Sequence, residues 1–208
     1  VNQELVLTNA TSSVSLSGIT EGYTVKSITL VDDESVNLGT DISAIDFTGI
    51  VKHGERTLKI VVTADETDHE ITVPVLLVTE EISTFDRLVK LVQITSGSCG
   101  KFQEGKYFTL AGDITLAEGT NYNANGTGNN NGFATAGAGN GFAGTLDGKN
   151  HSIIGGIMSG GGLFGAIESA TVKNIHFKDV QPQTGTTRSV ITGSMFNSLL
   201  DNVTVTVK

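Results

Sequence analysis

Seven side chains in the second half of the chain have types that could do chemistry: Asp113, Asp147, Asp179, Asp201, His151, His176 and Arg188. Cleaving an acidic polysaccharide requires carboxylates, or a Ca²⁺ site, beside a base on one face. Glycosidases hold two carboxyl groups roughly 5–9.5 Å apart. Asp179 and Asp201 are the pair that could come to one face. Asp147 stands in Leu146-Asp147-Gly148, where an Asp ahead of Gly most simply makes a turn. Asp201-Asn202 and Lys173-Asn174 read the same way, as corner residues bonded to neighbouring backbone. The turn reading is favoured throughout, and no catalytic residue is assigned.

The remaining candidates are sparser. His69-Glu70 lacks the second His of a zinc-protease motif, and the four histidines are scattered. Asp32-Asp33-Glu34 and the group Asp65, Glu66 and Asp68 could meet at one end of a domain. There they would offer oxygen ligands to Ca²⁺. Solvated acidic loops are the plainer reading, and otherwise no cofactor is expected. Cys99 is the only cysteine, so no internal disulfide forms, and no nucleophile signature surrounds it. Between Gly119 and Gly141 runs a Gly- and Asn-rich insert read as a surface loop. Tyr122, with Asn121 and Asn123, supplies its candidate ligand contacts.

These residues need a scaffold, and the pattern from Gly141 to Val180 predicts one. Phe142, Leu146, Ile153, Ile157, Leu163, Ile167, Val172, Ile175 and Phe177 form short runs of period two, cut by Gly, Asn and Asp. Such runs are very short strands with corners between them. One coil of this kind cannot bury its apolar face alone and must stack on others. Four coils are expected from about residue 106: Tyr107–Leu116, Gly141–Ile157, Gly161–Val180 and Ser189–Val207. Asn174–Phe177 echoes Asn202–Val205, and Gly162–Phe164 echoes Gly193–Phe196. The two echoes differ in spacing, as loops of different length would produce. Ahead of the coils, residues 83–93 read as a helix. Ser83 would cap it, with Asp86 three residues on, and Phe85, Leu88, Val89 and Val92 would form its apolar face. Its expected role is to cover the first coil, because open strand edges invite aggregation.

Residues 1–80 carry six or seven alternating runs separated by turn clusters at Asn9–Ser13, Asp32–Ser35, His53–Arg56 and Ala64–His69. That spacing predicts an antiparallel sandwich of immunoglobulin-like (Ig-like) type, without the Cys…Trp…Cys core of antibody domains. The boundary is placed near Glu80–Ser83, where the charge also changes. Residues 1–80 hold 13 acidic and 4 basic side chains, and residues 81–208 hold 9 of each.

Several motifs then fall in order: Thr84-Phe85-Asp86-Arg87-Leu88, Tyr107–Leu116, Phe142–Ile153, Gly162-Leu163-Phe164-Gly165 and Ala170–Ile175. With them, residues 81–208 resemble the GLUG-type, pectate-lyase-like right-handed β-helix of bacterial surface proteins. Residues 1–80 resemble bacterial Ig-like modules in architecture alone. The resemblance implies an all-β chain: an Ig-like β-sandwich over 1–80, then a short right-handed parallel β-helix over 81–208 with an N-terminal capping helix. It also implies a secreted or cell-surface location. Within that family the coils occur in adhesins, in carbohydrate-active proteins and in non-catalytic N-terminal regions of IgA-cleaving metalloproteases.

The formal charge of −9 and the absence of a basic half argue against nucleic acid. No apolar run reaches the ~20 residues of a membrane helix. Enzymatic activity is left open. The favoured function is a non-catalytic adhesion or binding module, a fragment of a larger surface protein, with a glycan or a host protein as partner. The alternative is part of a carbohydrate-active, polysaccharide lyase- or hydrolase-like enzyme, or the non-catalytic N-terminal region of a surface metalloprotease. The last coil, ending in Val203–Lys208 with no polar cap, is expected to continue into further coils or to self-associate.

Overall fold

A computed structural model describes residues 5–8, 13–14, 22–92, 101–119, 121–122, 141–158, 162–182 and 189–208. Among the described residues the chain is all-β with one short helix, and its contacts divide it into Val1–Glu80 and Glu81–Lys208.

The first unit contains β1 (Leu5–Thr8), β2 (Ser13–Val14), β3 (Thr24–Leu30), β4 (Asp33–Asn37), β5 (Ile45–Asp46), β6 (Gly54–Ala64) and β7 (Thr67–Val78). Five of them form a sheet in the order β1-β7-β6-β3-β4, and β2 pairs with β5. β6 and β7 make a hairpin in unbroken antiparallel register from Ala64↔Thr67 to Gly54↔Leu77. Its two-residue turn, Asp65-Glu66, has φ of 48° and 61°. Positive φ at both positions is the type I′ geometry that matches strand twist.

Alternation along β6 sends Leu58, Ile60 and Val62 inward, where they pack with Ile28 and Leu30 of β3. Ile45 of β5, with Phe47 and Ile50 beyond it, completes this core. Three sequence expectations shift. The turn cluster Asp32–Ser35 is mostly strand β4, and the Ala64–His69 cluster shrinks to two residues. Strand β6 takes over Gly54–Arg56. In each case pairing with a neighbouring strand overrides local turn preference. The sheet is also not wholly antiparallel, since β1 runs parallel to β7 from Leu5↔Val75 to Thr8↔Val78.

The second unit opens with β8 (Glu80–Ile82) and α1 (Phe85–Val92). Thr84, not Ser83, caps the helix: its Oγ1 accepts the Arg87 N–H at 3.2 Å. The helix starts one residue later than expected, so the capping side chain moves with it. Leu88, Val89 and Leu91 are buried, and Leu88 and Leu91 share a core with Phe108 and Phe142.

The remaining strands are rungs. They are β9 (Lys101–Phe102), β10 (Tyr107–Leu110), β11 (Ile114–Thr115), β12 (Asn121–Tyr122), β13 (Gly141–Phe142), β14 (Thr145–Asp147), β15 (Ser152–Ile154), β16 (Ile157–Met158), β17 (Ala166–Glu168), β18 (Thr171–Pro182), β19 (Ser194–Phe196) and β20 (Leu199–Val207). They stack in parallel as β9-β13-β17-β19, β10-β14-β18-β20, β11-β15-β18-β20 and β12-β16-β18. β18 and β20 are long because each bends through successive ladders. The first rung begins at Lys101, earlier than the expected residue 106, because Phe102 already pairs with Phe142.

Between the last two rungs the register is 28 residues at Asn174–Asn202 and at His176–Thr204. The same offset pairs Ala166 with Ser194, so the echo of Gly162–Phe164 in Gly193–Phe196 is not the structural register. Phe108, Leu146 and Val172 form one buried inward column, and Ile114, Ile153 and Phe177 another. In the last rung several apolar side chains open to solvent, with Met195 44% and Val205 39% exposed, while Leu200 and Val203 stay packed on the core.

Candidate functional site

Adjacent rungs lie about 4.8 Å apart, so a side chain at one position meets its counterpart one rung away. Thr109, Asp147, Lys173 and Asp201 form one such outward column. Asp147 is buried at its centre. Its Oδ1 accepts the Lys149 N–H at 2.9 Å and the Asn174 amide at 3.1 Å. Its Oδ2 accepts the Tyr107 hydroxyl at 2.8 Å, with Lys173 Nζ at 3.8 Å and Lys149 Nζ at 3.9 Å.

The Lys149 contact is the Asx turn that Leu-Asp-Gly predicts. Burial alone would raise the carboxyl pKa of Asp147. Those three hydrogen bonds and the Lys149 charge outweigh it and hold the pKa below the ordinary value. The Tyr107 hydroxyl is pushed far above its usual range, first by burial and then by its bond to Asp147. Asp147 is thus an ionised hub joining three rungs, with both carboxylate oxygens hydrogen-bonded.

The next corner is a column of asparagines. Asn150, Asn174 and Asn202 all have positive φ (64°, 52° and 50°), a conformation Asn tolerates. Asn202 Nδ2 donates to Asn174 Oδ1 at 3.0 Å and lies 3.3 Å from Asn150 Oδ1. Gly148 precedes this corner because a Cβ there would sit 2.4 Å from the Asn174 carbonyl oxygen.

Beyond the asparagines, Asp113 accepts the Ser152 N–H at 2.7 Å, and His151 Nδ1 lies 3.5 Å from its carboxylate. The Ser152 bond is the main cause of a lowered pKa at Asp113, with Lys178 and His151 adding to it. His176 Nδ1 lies 2.6 Å from the hydroxyl of Thr204. Asp179 and Asp201 do not share a face. The Asn174 corner turns the chain between the ladder that holds Lys173↔Asp201 and the one that Asp179 follows.

A cleft of about 280 Å³ opens at the corner after β11 and β15. Leu116, Ile154 and Ile157 give it an apolar lining, and Glu118, Asp179, Gln181 and Lys208 carry its polar groups. Gly155 and Gly156 occupy the middle rung with φ of 77° and 85°. Asn121 pairs with the cleft residue Ile157, and Tyr122 with Met158. Two of the three candidate ligand contacts therefore lie on the strand beside the cleft. Asn123, Arg188 and Cys99 lie outside the described residues. Sequence reasoning missed Glu118, Gln181 and Lys208, and the only local signal was the Gly155-Gly156 pair.

The two acidic clusters of the first unit do not meet. Asp32 follows the Leu30 end of β3, which pairs with Leu58, whereas Asp65 follows Ala64, beyond the Thr24↔Thr63 pair at the other end. Six residues of strand separate them, roughly 20 Å. Asp32 pairs with Arg56, and Asp68 with Lys26. His69 packs edge-on against Tyr23 at 6.3 Å. Among the described residues no three His, Cys, Asp or Glu side chains converge to hold a metal ion, and no described helix is long and apolar enough to cross a membrane. Compared with known protein families, with curated proteins and with solved structures, the chain matches none of them.

Proposed function

We propose that this chain is a non-catalytic binding or adhesion module of a secreted or cell-surface protein. In this reading residues 1–80 are an Ig-like sandwich acting as a spacer. Residues 81–208 are a short right-handed β-helix, with α1 over its first coil and an outer face that presents a ligand site. One observation carries it: the outward polar side chains of successive rungs are largely committed to one another. Asp147 is hydrogen-bonded by Tyr107, Lys149 and Asn174, and the three asparagines bond along their own column. Such commitment suits a rigid display surface, because a catalytic acid or base must be able to exchange its proton with a substrate.

A second reading, a carbohydrate-active enzyme, is favoured by Glu118 and Asp179 flanking one cleft. The test is a glycan array run beside a polysaccharide-degradation assay on the 208-residue chain. Binding without cleavage is the expected result. New reducing ends or unsaturated products would overturn the module reading in favour of the enzyme.

A further inference from the structure

The corner cleft differs from the neighbouring corners in how its polar groups are used. At Asp147, Asp113 and His176 the side chains are bonded across rungs. Within the cleft, and among the described residues, the side chains of Glu118, Asp179, Gln181 and Lys208 make no hydrogen bond or ion pair with the protein. They stand on three rungs around a gap at Gly155-Gly156, where the rung between Glu118 and Asp179 carries no side chain. A Cβ at Gly155 would meet only the Leu116 carbonyl oxygen, at 3.5 Å, so neighbouring atoms leave that space open.

We propose that this cleft binds the end of a short neutral oligosaccharide seated over the Gly155-Gly156 gap, an inference that rests on the binding-module reading. A polyhydroxylated ligand donates hydroxyl hydrogens to Glu118 and Asp179 and accepts from the Gln181 amide and the Lys208 ammonium. Its C–H face lies on Leu116 and Ile154. Few precisely placed polar groups over an apolar lining are the usual makeup of a small-molecule site. At about 280 Å³ the cleft lies at the small end of such sites, which suits a chain end and not a long polymer. Two carboxylates against one ammonium leave the rim negative, so a uronic acid would be repelled. The ligand class is therefore neutral sugar and not acidic polysaccharide.

The experiment is titration calorimetry with maltotriose, mannotriose, chitotriose, lactose and trigalacturonate on the 208-residue chain. At least one neutral sugar is expected to bind, and trigalacturonate is expected not to. Gly155→Asn tolerates the positive φ and fills the gap, and Asp179→Asn removes one acceptor at constant shape. Each should weaken the neutral sugar at least tenfold while leaving thermal melting unchanged. If Gly155→Asn disturbs folding, Asp179→Asn decides alone. Failure of all four neutral sugars, equal binding of trigalacturonate, or unchanged affinity in the variants would overturn the cleft assignment. Cleaved sugar in the same samples would instead overturn the module reading.

Discussion

The two units place polar side chains in opposite ways. In the first, β6 alternates buried and more exposed positions, and most of its outward polar groups sit in water. The Lys26 side chain of β3 and the Asp68 side chain of β7, which pair across β6, are 61% and 44% exposed. In the second, parallel rungs bury Thr109, Asp147, Ser152 and Glu168. The difference follows from stacking. An antiparallel neighbour brings together unrelated residues once, whereas a parallel rung brings each outward position onto its counterpart again and again. Polar side chains can then bond along the stack, as Asn150, Asn174 and Asn202 do. Repeated rungs can therefore bury several polar side chains, where the first unit buries Arg56 alone among the described residues.

The largest predicted effects test whether the units are separate. Phe47 and Phe142 are each fully buried, one in either core. Phe142→Ala and Phe47→Ala should each cost about 3–5 kcal/mol. Followed by calorimetry, each should lower its own transition and leave the other in place. A single shared transition that falls in both variants would break the comparison.

Next comes the close approach of rungs. Gly148→Ala would set a Cβ 2.4 Å from the Asn174 oxygen and 2.7 Å from Ile175 Cβ, and should cost on the order of 3 kcal/mol in urea melts. Gly49→Ala in the first unit, with nothing within 4 Å, should be nearly neutral. Equal effects would remove the distinction between tight rungs and open turns.

Asp147→Ala strands the Tyr107 hydroxyl and the Asn174 amide, and should cost about 2–3 kcal/mol. Its depressed pKa fixes the pH dependence. The contribution of Asp147 is present above the unfolded carboxylate value of about 3.9 and is lost as pH falls through the lower folded value. Acid titration of the second unit should therefore steepen below about pH 4 in the native chain and flatten in Asp147→Asn. Asp68→Asn should barely change the acid limb of the first unit, because its partner Lys26 is exposed. The smallest effect concerns the cap: Thr84→Ala should cost about 1 kcal/mol and Ser83→Ala almost nothing. The reverse order would restore Ser83 as the cap.

Much of the second unit was legible because its corners are written in residue types with narrow conformational uses. Asp147-Gly148 opens an Asx turn, and Lys173-Asn174 and Asp201-Asn202 mark positive-φ bends inside β18 and β20. The first unit was less legible at its edges. The cluster Asp32–Ser35 has turn composition, yet β3 draws most of it into β4. The candidate site was read only in part. Asn121 and Tyr122 fall beside the cleft, but its polar rim comes from Glu118, Asp179, Gln181 and Lys208, which no local motif connects.

By itself, the sequence determined the all-β character, the short strands and the corners of the second unit, because period-two burial and turn chemistry act within a few residues. Only the tertiary structure decided the register of the rungs, the parallel return of β1 beside β7, and the separation of the two acidic clusters. It alone also gathered Glu118 and Asp179 around a glycine gap. Those features depend on which distant strand lies alongside, and that choice is made by the sum of many burial and hydrogen-bond terms across the whole core.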